Sequence, residues 1–212
     1  MKIRMLLPLV AIASLLPLVG GCSTAPKSEA GREDLRDESE VTLRSFERED
    51  ADLKDFLNNA AGYVMFPSIG KAAFIVGGAY GRGVVYEGDK QSGFASMNQA
   101  SAGLQAGAQD FAELVVFGTR EALNKFKDER LEFGANASAI VLKAGAARAA
   151  SFRDGVAVFT RAKTGAMVEL SISGQQLKYL SSEEEMEREE RTQTRTNSRT
   201  TEMRETRKSE SY

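Results

Sequence analysis

The stretch "IGKAAFIVGGAYGRGVVYEG", Ile69 to Gly88, sets glycines among β-branched and aromatic residues, with Lys71 and Arg82 close by. Glycine-rich turns cradle phosphates in nucleotide-binding loops, so that reading is tested first. A P-loop needs G-x-x-x-x-G-K-[ST]; here Met65 stands at the first glycine position and Ala72 follows Gly70-Lys71. The dinucleotide fingerprint G-x-G-x-x-G opens a helix, but Gly81-Arg82-Gly83 runs into Val84-Val85-Tyr86, which lacks the third glycine and continues as strand. The remaining reading is a sheet in which glycines let strands bend and backbones approach.

Working outward, Tyr63-Val64-Met65-Phe66 reads as a short strand stopped by Pro67. Ala73 to Gly78 and Gly83 to Tyr86 are strand-like; Glu87 to Lys90 is a turn, and Gly93 to Met97 resumes as strand. "AGLQAGAQ", Ala102 to Gln109, places Gly103 and Gly107 on one face of a strand or of a helix, and periodicity leaves both open. Leu114 to Phe117 is a buried strand, and Thr119 caps a short helix carrying Ala122, Leu123 and Phe126 on one side. Ala137 to Leu142, Val156 to Thr160 and Met167 to Ile172 read as strands, with turns at Lys163-Thr164-Gly165 and Ser173-Gly174. Upstream, helical spacing begins near Asp37 with Leu43 and Phe46. Leu53, Phe56, Leu57 and Ala60 follow the i, i+3, i+4, i+7 rule, with Asp50 as N-cap and Gly62 as the stop. Glu47, Glu49, Asp50, Asp52 and Asp55 are expected on or near solvent. A membrane-surface helix usually carries Lys and Arg there, so packing on the domain's own sheet is the better reading. The expected fold class is α+β, with N-terminal helices, one short internal helix and a glycine-rich, mostly antiparallel sheet curved toward a barrel.

The chain begins with a basic Met1 to Arg4 and an apolar Met5 to Val19 interrupted by Pro8 and Pro17. This is the layout of a signal peptide and falls short of the roughly 20 residues that span a bilayer. Leu18-Val19-Gly20-Gly21-Cys22 resembles a lipobox. The resemblance implies cleavage before Cys22, a thioether diacylglycerol on its sulfur and acylation of the new N-terminus. Several acyl chains anchor firmly, because each buried CH₂ contributes about 0.8 kcal/mol. Ser23, by analogy with enteric sorting, implies the outer membrane and a periplasm-facing domain. The expected organisation is a signal peptide over 1–21, a lipidated flexible tether over 22–36, a domain over 37–180 and a disordered charged tail over 181–212. The tail turns from acidic (Glu183 to Glu190) to Arg-, Thr- and Ser-rich (Arg191 to Lys208). It has too little to bury to offset its ordering entropy, and its charge blocks give it the means to recruit a protein partner.

The 212 residues carry 28 Lys and Arg against 30 Asp and Glu; loss of residues 1–21 takes Lys2 and Arg4, giving a net charge of −4. That balance argues against nucleic-acid binding. With no histidine, Ser-His-Asp and Cys-His catalysis and the commonest zinc sites are absent. The single cysteine is assigned to acylation, and no carboxylate pair occupies an obvious site. No catalytic residue, metal ligand or cofactor is assigned.

Three blocks carry a family resemblance: "AAGYVMFPSIGKAAFIVGGAYGRGVVYEG", "SMNQASAGLQAGAQDFAELVVFGTREALNKF", and the closing pair "LEFGANASAIV" and "TRAKTGAMVELSISGQQLKY". In this order, over about Phe46 to Tyr179, they resemble the SYLF domain. The resemblance implies a lipid-binding module and not an enzyme, with phospholipid or another acidic amphiphile as ligand. Eukaryotic relatives bind phosphoinositides and some bind actin; their basic amphipathic helix has no counterpart in this acidic one. A headgroup site needs cations beside accessible backbone N–H groups. The candidates are Lys71, Tyr80 and Arg82 on the glycine-rich stretch, with Arg161 and Lys163 before the last hairpin.

Overall fold

The computed structural model describes residues 24–134, 139–164 and 174–182, with 191 and 194, and of 72–77, 101–109 and 164 the backbone alone. Two helices, α1 (Glu29–Glu49) and α2 (Leu53–Asn58), precede the long strands β1 (Gly62–Glu87) and β2 (Lys90–Phe117). Helix α3 (Arg120–Asp128), strands β3 (Leu131–Glu132) and β4 (Ile140–Val141), helix α4 (Ala146–Ala149), β5 (Val156–Thr164) and β6 (Gln175–Ser181) follow. The fold is α+β, with a strongly curved, mostly antiparallel sheet.

Strand β2 is the spine. One edge pairs with β1 along almost its whole length, from Lys90 opposite Glu87 to Phe117 opposite Gly62. The other edge is shared: β6 takes Gly93 to Gln99 and β5 takes Asp110 to Phe117, both antiparallel. β3 extends β6, and β4 adds to β5 as the parallel pair. Alternation then makes two cores. Tyr63, Met65, Val84, Phe94, Leu114 and Phe159 pack under α1, α2 and α4, and Phe46, Leu53 and Leu57 complete that layer. Val64, Phe66, Ile69, Phe111, Val115 and Phe117 face the other way, against Leu123 and Phe126 of α3.

The glycines of the opening stretch allow β1 to fold back on itself. A Cβ on Gly83 would lie 2.6 Å from the Met65 carbonyl oxygen, and one on Gly81 3.1 Å from that of Ser68. One on Gly62 would lie 2.7 Å from the carbonyl oxygen of Tyr86. Residues 62–69 therefore run against 81–86 of the same strand, with Tyr63 and Tyr86 stacked at 5.1 Å. Gly83→Ala should cost about 1–3 kcal/mol in a urea titration, since backbone cannot move aside as a side-chain tip does. Gly70→Ala has nothing within 4 Å of its new Cβ and should stay within about 0.5 kcal/mol of the parent. Equal costs at the two positions would refute the fold-back.

Several expectations need correction. Helix α1 starts at Glu29 rather than near Asp37, because Ser28 caps it by accepting from the Gly31 N–H. It takes up the second half of the stretch expected as a tether. Asp50 closes α1 instead of capping α2, whose N-cap is Asp52. Gly62 opens β1 rather than ending a helix. Pro67 does not stop the strand; it falls in a register shift between Phe66 and Ile69, where a missing N–H is tolerated. Gly103 and Gly107 sit in strand, opposite Ile75 and Ala73. Lys163 and Thr164 are the end of β5, not a turn. Of the strand expected over Ala137 to Leu142, β4 keeps only Ile140–Val141, and residues 135–138 lie outside the described residues. Gly165, the strand expected over Met167 to Ile172, Ser173, and the tail apart from 181, 182, 191 and 194 also lie outside them.

Candidate functional site

The predicted headgroup residues separate into three places. Lys71 continues the face of Ile69 and Phe111, is half-buried, and has no ion-pair partner among the described residues. Tyr80 and Arg82 lie on the opposite face, that of Val84 and Tyr86, with the Arg82 guanidinium 5.5 Å from the Tyr80 ring centroid. Lys71 and Arg82 flank one stretch of sequence yet do not share a surface.

Arg161 and Lys163 do come together, beneath α1. The Arg161 guanidinium lies 4.8 Å from the Phe46 ring centroid, donates to the Ser45 hydroxyl and sits 3.6 Å from the Glu49 carboxylate. Lys163 Nζ is 3.2 Å from Glu38 and 4.0 Å from Asp110. The acidic helix uses Glu38 and Glu49 to fasten itself to β5, so both cations already have anionic partners. Cys22 lies outside the described residues.

A cleft of about 710 Å³ opens elsewhere, between α3, β3, β4, α4 and the start of β5. That volume falls within the roughly 300–1,000 Å³ of small-ligand pockets. Leu131, Phe133, Ile140, Val156 and Val158 supply apolar lining. Lys125, Lys143 and Arg153 bring positive charge, with Glu132 and Asp154 as the acidic members. None of the three cations has an ion pair among the described residues, whereas Lys127, Arg148, Arg161 and Lys163 all do.

Two devices shape this cleft. Asp154 (φ 50°) and Gly155 (φ 77°) make the two-residue turn into β5, across which Arg153 and Val156 exchange backbone hydrogen bonds of 2.9 Å each way. Asp-Gly suits such a turn because both positions need a left-handed backbone. The other device is Asp50, fully buried and expected on or near solvent. Its carboxylate accepts from the N–H groups of Ala147 at 2.6 Å, Gly145 at 3.1 Å and Asp52 at 3.2 Å. It thereby ties the wall formed by α4 to the junction of α1 and α2. The Asp52 N–H is the partner expected of a cap at residue 50, whereas the N–H groups of Gly145 and Ala147 come from nearly a hundred residues away, which no local pattern signals.

Glu113 was also missed. It is fully buried on the face of Phe111 and Val115, and burial pushes its carboxyl up to about 7. Gln175 Nε2 donates to Glu113 Oε2 at 3.2 Å, while Glu113 Oε1, Gln175 Oε1 and Thr160 Oγ1 are buried without partners among the described residues. The signal was present: once Leu114 to Phe117 is a buried strand, alternation places residue 113 with 115 and 117.

Among the described residues no cluster of His, Cys, Asp and Glu is arranged to hold a metal, and no helix is long and apolar enough to cross a membrane. No curated protein matches the chain. A family model described as "Ysc84: Las17-binding protein actin regulator" matches residues 98–186, from within β2 to beyond β6. The match takes in most of the central block and the closing blocks of the resemblance, and over those residues the chain carries a Ysc84 (SYLF) domain.

Proposed function

We propose that this chain is a non-catalytic lipoprotein whose SYLF domain binds phospholipid or another acidic amphiphile in the cell envelope. Acylated Cys22 holds it on the outer membrane, facing the periplasm. The observation that carries the ligand class is the cleft: apolar walls beside three cations without ion-pair partners among the described residues suit an acyl chain next to an anionic group. This moves the headgroup assignment from Lys71, Tyr80, Arg82, Arg161 and Lys163 toward Lys125, Lys143 and Arg153.

The test is vesicle flotation of the Cys22→Ser protein on phosphatidylglycerol and on phosphatidylcholine. Each basic residue near an anionic surface contributes about 1 kcal/mol, so the triple alanine variant at Lys125, Lys143 and Arg153 should lose anionic-vesicle binding by roughly tenfold or more. Full flotation of that variant, with loss on substituting Lys71 and Arg82, would return the site to the glycine-rich stretch. Mass analysis of the native protein should show acyl chains that Cys22→Ser lacks. Mass spectrometry of extracted lipids would name the amphiphile.

A second reading draws on the family description, which names a protein-binding actin regulator. In it the chain is a tethered interaction protein that recruits an envelope partner through residues 181–212. Loss of partner capture on deleting residues 183–212, with flotation intact, would favour it.

A further inference from the structure

We infer that the lipid anchor joins the folded domain with almost no slack, and that α1 is a strut holding the α4 wall of the cleft about 30 Å from it. The inference rests on the reading that Cys22 is acylated. Thr24 and Ala25 are 5% and 2% exposed, and Ala25 belongs to the core beneath α1. The Arg32 guanidinium, itself buried, donates to the Pro26 carbonyl at 3.1 Å and to Glu29 at 2.7 Å. Ser28 then caps α1. The chain is thus packed from its second residue after Cys22, and two residues reach only about 7 Å. A domain held that closely cannot sample a wide shell above the bilayer.

The direction of α1 sets what lies near and what lies far. Toward its N-terminal end, Arg36 donates to the Gln91 side chain at 3.0 Å and lies over the Phe94 ring, placing that end beside the turn between β1 and β2. Its 21 residues span about 30 Å. At the far end Asp50 grips Gly145 and Ala147, and Arg148 pairs with Asp52 at 2.8 Å. The anchor and the α4 wall of the cleft are therefore at opposite ends of one helix pinned at both, while the α3 wall is held to the near turn by Arg120 and Lys127 on Glu87, at 2.6 and 2.7 Å.

The experiment uses the acylated protein in vesicles, with a fluorophore on a cysteine introduced either as Asp89→Cys at the near turn or as Lys143→Cys at the cleft. Energy transfer to acceptors at the bilayer surface should be several-fold stronger from position 89. A ten-residue Gly-Ser insertion between Ser23 and Thr24 should erase most of that difference. Acyl mass with equal transfer from the two labels, or a difference that survives the insertion, overturns the strut and leaves the anchoring reading intact. Absence of acyl mass overturns both.

Discussion

Asp50→Ala should lower the stability of the folded chain by about 2–4 kcal/mol, because it strands the buried N–H of Ala147 at about 1–3 kcal/mol and the part-buried ones of Gly145 and Asp52 at less. The carboxylate is fully buried and is the shared acceptor for Gly145 and Ala147, residues that have no other tie to the α1–α2 junction through their N–H groups. Such a loss is a large part of the roughly 5–15 kcal/mol that holds a domain together. The urea midpoint should fall with the m-value unchanged. Hydrogen exchange should rise first at Gly145 and Ala147, since α4 can detach before the sheet does. Asp50→Asn keeps one acceptor oxygen and should fall between the two. A midpoint within about 1 kcal/mol of the parent for Asp50→Ala, with exchange at 145 and 147 unchanged, would show that α4 is held by its apolar contacts alone.

The fold class was legible because period-two patterning is a local signal. Leu114 to Phe117 reads as a buried strand without help, and Thr119 caps α3 as its residue type predicts, accepting from the Ala122 N–H at 3.2 Å. What the sequence hid was continuity. Pro67 and the run of glycines look like punctuation, yet β1 passes through both, because a register shift absorbs the proline and the fold-back needs the glycines. The short strands β3 and β4 carry two residues each, too few for any periodic pattern, and they exist because β6 and β5 offer them an edge.

The site was less legible than the fold, for a reason of geometry. Lys71 and Arg82 are neighbours in sequence, but alternation and curvature send them to opposite faces. Arg161 and Lys163 look available in sequence, yet the acids of α1, more than a hundred residues away, reach them. The cleft draws on α3, β3, β4, α4 and β5, and no one of these segments carries a motif. Only the Asp154-Gly155 pair, flanked by Arg153 and Val156, was a local clue to its shape.

Glu113 gives the second large effect, and its sign is opposite to that of an ordinary paired carboxylate. Phe66 of β1 and Thr160 of β5 stand opposite it, and Gln175 of β6 is its hydrogen-bond partner; no cation faces it among the described residues. Burial therefore favours the neutral acid, raising the carboxyl from 4.5 to about 7. The protonated form also supplies the donor that the Glu113–Gln175 pair lacks, since each residue otherwise keeps one oxygen without a partner. Because the folded chain holds this proton more tightly than the unfolded one, the stabilisation is complete below about pH 4.5 and is lost as pH rises through about 7. The gap corresponds to about 3 kcal/mol, from about 1.4 kcal/mol for each tenfold change in acidity. Glu113→Gln, neutral at every pH and nearly the same shape, should match the parent near pH 5 and exceed its stability by up to about 3 kcal/mol at pH 8 to 9. The readout is the difference in urea midpoint between the two proteins across that range. A difference that stays flat from pH 5 to 9 would mean that Glu113 is already ionised in the fold and that its buried charge is satisfied by some other route.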